Sequence, residues 1–282
     1  MIVALLSFNR PEYLQQVVDS IIKQSYKDYK IFLFQDGPLR KSLWRRKTWD
    51  SEIKTCIQIF EDSFPEGHLS VSKENIGIAK NWRRAEHKLF LEDNFDEVLF
   101  LEDDLVLSEH YFETILSMFN EFREIPEVGM FNAFGEVDSD TDPCLMKEMG
   151  HLWAFGTTKK AWLARQDFFD KYYALISNVD YSNRPIKKIY DLYQHYGGRT
   201  TAAHSQDGAK SISMLLANQI KISTSANLGK YIGKTGFHAT PAFYEERGFD
   251  RMPICMKGPL SDFRIDQNKI KTLLQAKYME YK

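Results

Sequence analysis

Residues 97–104 read Glu97-Val98-Leu99-Phe100-Leu101-Glu102-Asp103-Asp104, an apolar run that ends in three consecutive carboxylates. Four apolar residues in a row, without polar alternation, predict a strand covered on both faces. Carboxylates gathered at the end of such a strand repel one another, and burying them is costly unless cations or donors compensate the charge. A divalent cation is the economical solution, because Mg²⁺ and Mn²⁺ take hard oxygen ligands. A solvated turn or a helix-cap cluster is the structural alternative for the triplet taken alone.

Upstream, the first apolar run, Ile2 to Leu6, leads through Ser7-Phe8-Asn9-Arg10-Pro11 into a helical pattern whose face is Leu14, Val17, Val18, Ile21 and Ile22. Pro11 suits the first helical turn. A second strand, Lys30 to Phe34, stops at the turn sequence Gln35-Asp36-Gly37-Pro38. Leu69-Ser70-Val71 predicts a short third strand, and Asn75-Ile76-Gly77-Ile78-Ala79-Lys80-Asn81 opens a helix running to about Leu91. After the triplet and Leu105-Val106-Leu107, Ser108 is placed to cap a helix with Tyr111, Phe112, Ile115, Leu116 and Phe119 on one face and Pro126 at its end. Strands alternating with amphipathic helices predict an α/β fold, a mixed and mostly parallel sheet flanked by helices. Ligands of such sheets bind beyond the carboxyl ends of the strands, where Ser7, Asp36 and Glu102 fall.

The chain has 282 residues, 43% of them apolar and 14% aromatic, enough to bury the core of one domain spanning 1–282. A net charge of -2 offers no positive field for nucleic acid. Cys56, Cys144 and Cys255 are odd in number and widely spaced, which fits a reducing compartment rather than a disulfide framework. No apolar run approaches the ~18 residues of a membrane span, so the expected location is cytoplasmic, or the chain is a catalytic domain excised from an anchored parent.

The first 110 residues resemble the nucleotide-sugar-binding half of GT-A glycosyltransferases, and Phe100-Leu101-Glu102-Asp103-Asp104-Leu105 resembles their DXD element in its Glu-Asp-Asp form. The segment after the first strand with Arg10, the Gln35-Asp36 after the second, and the Ala79-Lys80-Asn81-Trp82 stretch are similar to the N-acetylglucosaminyltransferase I family. That resemblance implies transfer of a sugar from a nucleotide-sugar donor, a UDP-sugar, to a hydroxyl acceptor with Mn²⁺ or Mg²⁺ as cofactor. Residues 1–107 would bind the donor and 108–282 a carbohydrate, glycan or lipid-linked acceptor. Asp104 would ligate the metal, Glu102 and Asp103 would contact ribose or sugar hydroxyls, and Arg10 and Asp36 would orient the uracil end. Ser7 and Asn9 complete the donor set with Asn81, which stands where the family uses a histidine.

Beyond about residue 130 the pattern is less regular and more aromatic, so strand order there does not follow from the sequence. An inverting transfer needs a base to take the acceptor's proton, and Asp207 in His204-Ser205-Gln206-Asp207-Gly208 is the candidate. Its position resembles the family's base segment; the plainer reading is a helix N-cap. His238, in Gly233-Lys234-Thr235-Gly236-Phe237-His238, is a second candidate metal ligand, with simple exposure as the alternative. Trp153 and Phe155 suit either a sugar-stacking platform or the core. The basic aromatic stretch from Arg40 to Trp49 suits an anionic lipid-linked acceptor, a membrane surface, or merely a solvated helix face. A retaining transferase, a nucleotidyltransferase, and a non-catalytic sugar-binding protein use the same features.

Overall fold

The apolar runs become the strands of one sheet. The computed structural model describes residues 1–38, 50–135, 142–179, 183–198, 204–236, 240–256, 258–265 and 267–281. In chain order β1 (Ile2–Ser7), α1 (Pro11–Ile22), β2 (Lys30–Gln35), α2 (Asp50–Ser63), β3 (His68–Val71), α3 (Gly77–His87) and β4 (Glu97–Glu102) build the first half of the sheet. The ribbon strand β5 (Leu105–Leu107), helix α4 (Tyr111–Phe122), strands β6 (Val128–Asn132), β7 (Met146–Glu148) and β8 (Ala154–Thr158), and helices α5 (Lys159–Leu163), α6 (Gln166–Ile176) and α7 (Ile186–His195) follow. Helix α8 (Gln206–Leu216), strands β9 (Ile220–Thr224) and β10 (Gly229–Tyr231), and helices α9 (Pro241–Glu246) and α10 (Gln267–Tyr281) close the chain.

Strand order is β3-β2-β1-β4-β8-β6-β9-β7. β8 and β7 run against the other six, so the sheet is mixed and mostly parallel between helices, as the sequence predicts. The chain steps outward from β1 to β3 and then returns to lay β4 on the other side of β1. A crevice opens at such a reversal of direction, beyond the carboxyl ends of the two strands. Leu6 of β1 lies level with Glu102 of β4, which brings Ser7 and the acidic triplet to that crevice together.

Both faces of these strands are covered, which is why their sequences are apolar without alternation. Val3, Leu5, Leu99 and Leu101 pack into one core beneath α1 and α4, while Ala4, Leu6, Val98 and Phe100 pack into another beneath α3. Two local expectations shift. Helix α4 begins at Tyr111 with His110 at its cap and no side-chain cap bond, and it ends at Phe122, ahead of Pro126. The long helix expected to Leu91 is α-helical only to His87, and its last turn, Lys88–Glu92, widens to a π-turn.

Candidate active site

The short β1–α1 loop wraps the end of β4. Asp103 is buried and accepts from Ser7 Oγ at 3.2 Å, from the Phe8 amide at 3.4 Å, and from Arg10. Arg10 also reaches Asp104, Nη1 lying 2.8 Å from Oδ2. The other oxygen of Asp104, Oδ1, is buried with no hydrogen-bond partner. Burial and the neighbouring Asp103 push Asp104 up to about 6, although Arg10 pulls the other way. Glu102 is driven well above the usual carboxylate range by burial first, then by the charges of Asp104 and Asp207. Burial alone would weaken the Arg10 cation, but Asp103 and Asp104 more than offset it.

An orphaned carboxylate oxygen in a crevice is a hard ligand without a cation, and divalent metals at diphosphate sites commonly take only one or two carboxylates, the rest being phosphate and water. The residues present therefore fit Mg²⁺ or Mn²⁺ held at Asp104 Oδ1. Among the described residues no group of three or more acidic, histidine or cysteine side chains is arranged as a closed metal cage. His238 lies outside the described residues, as does the basic stretch from Arg40 to Trp49.

The Asp36 carboxylate is engaged by the backbone ahead of α3. Its Oδ1 accepts from the amides of Gly37 at 2.8 Å and Ile76 at 2.9 Å, and its Oδ2 from the Gly77 amide at 2.9 Å and Asn75 Nδ2 at 3.0 Å. Four donors fill a carboxylate's acceptor sites. Asp36 thus caps the start of α3 from the end of β2, and Gly77 sits there with φ +76°, a backbone state that favours glycine. Asn81 is likewise internal, donating to the Phe34 carbonyl at 2.9 Å and accepting from Arg84 Nη2 at 2.8 Å. Both shape the wall of the crevice through backbone contacts. Asn9 is half-buried in the β1–α1 loop, beside Arg10.

A second wall comes from far along the chain. β10 pairs antiparallel with β5, and the Ile232 amide donates to the Asp104 carbonyl at 2.8 Å. At Gly233 an added Cβ would lie 2.6 Å from Asp104 Oδ2, so only glycine lets this loop approach the carboxylate so closely. Thr235 then ties the loop to α1 through Tyr13, hydroxyl to hydroxyl at 3.0 Å. On the other side, the Glu102 amide donates to the Trp153 carbonyl at 2.8 Å. Trp153 is sandwiched between His151, at 4.1 Å, and Tyr231, at 3.8 Å, with planes within 3°. Both faces of the indole are therefore covered, and Trp153 has none left for a sugar ring; Phe155 is wholly core, stacked on Trp82.

Asp207 is exposed in the first turn of α8, and it is not the cap. Ser205 caps this helix, its Oγ accepting from the Gly208 amide at 3.1 Å. The plainer reading of Asp207 as N-cap is thereby displaced to Ser205. The charge of Asp207 is felt at Glu102 of the acidic strand end, and also at Tyr173, Lys210 and Lys221.

No protein-family model matches this chain, and no curated protein matches it. Solved structures do. The chain is similar to S. aureus TarS 1-349 at a TM-score of 0.46 and 14% identity, over 87% of this chain and 62% of that one. It is also similar to the mannosyltransferase PcManGT from Pyrobaculum calidifontis, solved with GDP-Man and Mn2+, at a TM-score of 0.41 and 11% identity, over 80% and 56%. An active-site mutant of LgtC matches at a TM-score of 0.42 and 12% identity, over 98% and 96%. The chain thus spans less than two thirds of the TarS and PcManGT chains it matches. TM-scores below 0.5 say nothing of which residues act, or on what.

The sequence reading singled out the Gly233 loop but missed Tyr231 and the His151–Trp153 stack. Their place depends on β8 and β10 pairing with strands 53 and 126 positions away, Ala154 with Leu101 and Tyr231 with Leu105. A glycine pair after an aromatic strand, Gly233 and Gly236, was the one local sign. The three cysteines are free thiols, Cys56 buried. Among the described residues no helix is long and apolar enough to cross a membrane.

Proposed function

We propose that the chain is a glycosyltransferase of the GT-A kind, transferring the sugar of a UDP-sugar donor to a hydroxyl of a carbohydrate, glycan or lipid-linked acceptor, with inversion at the anomeric carbon. The observation that carries this reading is the crevice at the β1/β4 reversal, where Asp104 offers a buried, unpartnered oxygen beside the Arg10 cation. Few ligands suit a buried carboxylate and a guanidinium side by side as well as a metal-bound diphosphate does. Mn²⁺ or Mg²⁺ at Asp104, with His238 as a second candidate ligand, would draw negative charge from the leaving nucleoside diphosphate.

The chain's own groups divide the remaining work. Arg10 is at hand for the diphosphate oxygens, Ser7, Asn9 and Asp103 hold the loop that lines the donor, and Glu102 meets sugar or ribose hydroxyls. Asp36 and Asn81 shape the base pocket by fixing the start of α3. Asp207 takes the proton from the acceptor hydroxyl as its oxygen bonds to the anomeric carbon and the bond from that carbon to the diphosphate breaks. The two halves, 1–107 and 108–282, then serve donor and acceptor. Likeness to the N-acetylglucosaminyltransferase I family rests on the motifs alone, and free thiols support a cytoplasmic location.

The test is product analysis. Native chain and Asp207→Asn are incubated with UDP-GlcNAc, Mn²⁺ and an acceptor panel, with released UDP and anomeric configuration as readouts. An inverted product, and an Asn variant that binds UDP normally but turns over on the order of 10² to 10⁴ times more slowly, is expected. A retained configuration moves the reading to a retaining transferase.

A further inference from the structure

Behind Asp207 lies an ion pair that the proposed chemistry does not use. Lys210 of α8 and Glu86 of α3 are each 1% exposed, Nζ and Oε1 standing 3.0 Å apart. The ammonium rests 3.9 Å from the centroid of Trp82 and 4.8 Å from that of Phe155. Buried beside it is Arg165, which donates to the Ala161 carbonyl and to Thr157 Oγ1 and whose Nη1 has no partner. An ion pair taken this far from water seldom adds stability over apolar side chains of like volume. Its presence calls for another reason.

Position supplies one. Lys210 follows Asp207 by three residues in the same helix, a spacing at which side chains are neighbours and an acid and a base commonly pair. A carboxylate bound to an ammonium is a poor proton acceptor, because the pairing stabilises its charged form. We infer that Glu86 is a positioning residue that holds the Lys210 ammonium off Asp207, keeping the Asp207 carboxylate available as the base. The inference rests on the proposed role of Asp207. Glu86 does not touch the reacting atoms; it acts through Lys210. The groups whose charges interact with Asp207 are Glu102 from β4, Tyr173 from α6, Lys210 from α8 and Lys221 from β9. Of the two lysines, Lys210 shares the helix with Asp207 and carries its own buried counter-charge. Burial also weakens the Lys210 cation, while Glu86, by charge and hydrogen bond, and after it the charge of Asp207 draw it back toward the charged state.

The experiment compares native chain, Glu86→Gln, Lys210→Met, the double variant and Asp207→Asn, each checked for its thermal midpoint. Turnover is read as UDP release from UDP-GlcNAc, and from GDP-mannose in parallel, with Mn²⁺. Glu86→Gln leaves the ammonium with Asp207 as its remaining carboxylate, so kcat should fall at least tenfold while the donor KM stays within twofold. Lys210→Met, and the double variant, should keep kcat within about threefold of native, the second rescuing the first. A Glu86→Gln enzyme with native kcat overturns the inference, and so does a folded double variant as slow as the single one. Should Glu86→Gln fail to fold, Lys210→Met decides: a tenfold loss of kcat with an intact fold means that Lys210 serves the reaction and overturns the inference. Native turnover in Asp207→Asn, or no turnover of either donor by the native chain, instead overturns the proposed function, and this inference with it.

Discussion

Arg10 holds one oxygen of Asp104 at 2.8 Å and leaves the other buried without a partner. The carboxylate is half compensated, and its deficit is a measurable property of the metal-free chain. One Arg10 guanidinium faces two carboxylates, Asp103 and Asp104, so the pair keeps an excess of negative charge, and Asp104 Oδ1 is the atom left without a donor.

That deficit predicts a pH dependence. Burial raises Asp104 from the ordinary 3.8 to about 6 and raises Glu102 further in the same direction. Both acids therefore bind protons more tightly folded than unfolded, and in that window stability falls as pH rises. With chelator present, Asp104→Asn should be more stable than the native chain at pH 7, by on the order of 2 kcal/mol. The gap should narrow as pH drops through about 6, where the folded acid takes up its proton, and close below 3.8, where the unfolded acid is protonated too. Urea unfolding of both proteins at the two ends of that range checks this; a native chain as stable as the Asn variant at pH 7 contradicts it.

Asp36 behaves as a clamp, because its four acceptor sites hold Gly37, Asn75, Ile76 and Gly77. Asp36→Ala strands three backbone amides and should cost on the order of 2 to 4 kcal/mol of stability, since each charge-assisted bond is worth ~1.5 kcal/mol or more. The donor KM should rise with it as the start of α3 loosens. An alanine variant that melts like native but no longer discriminates UDP from GDP in calorimetry would make Asp36 a reader of the base.

Capping and catalysis separate at the start of α8. Ser205→Ala removes the cap bond to Gly208 and should cost about 1 kcal/mol with kcat nearly unchanged, while Asp207→Asn should melt near native and lose most turnover. Thermal melts and UDP release on the two variants decide it. The opposite pattern would return Asp207 to a structural part.

These assignments show where sequence ceases to suffice. The strands β1, β2 and β4 were legible because two-sided burial demands an uninterrupted apolar run, and the Asp-Gly-Pro and acidic ends mark where each run leaves the sheet. The places of Asp104 and Arg10 in the chain were legible for the same reason, both lying within a few residues of a strand end, but the contact between them was not. The partners of Asp36 were not, since a carboxylate at a strand end looks the same whether it faces ligand or backbone amides. The Trp153 sandwich and the Glu86–Lys210 pair depend on contacts across 78 and 124 positions, Trp153 with Tyr231 and Glu86 with Lys210, which no local pattern encodes. Ser205 took the cap from Asp207 by two residues, a distinction that sits within the ordinary imprecision of helix starts.

The most direct test of the central claim, that Asp104 and its neighbours hold a metal-bound nucleotide-sugar, is UDP release from UDP-GlcNAc by the native chain before chelation, after EDTA, and after Mn²⁺ is restored. Turnover should vanish with chelator and return with Mn²⁺, and Asp104→Asn should match the chelated enzyme while keeping its fold. Undiminished UDP release after thorough chelation, or from Asp104→Asn, would contradict the account.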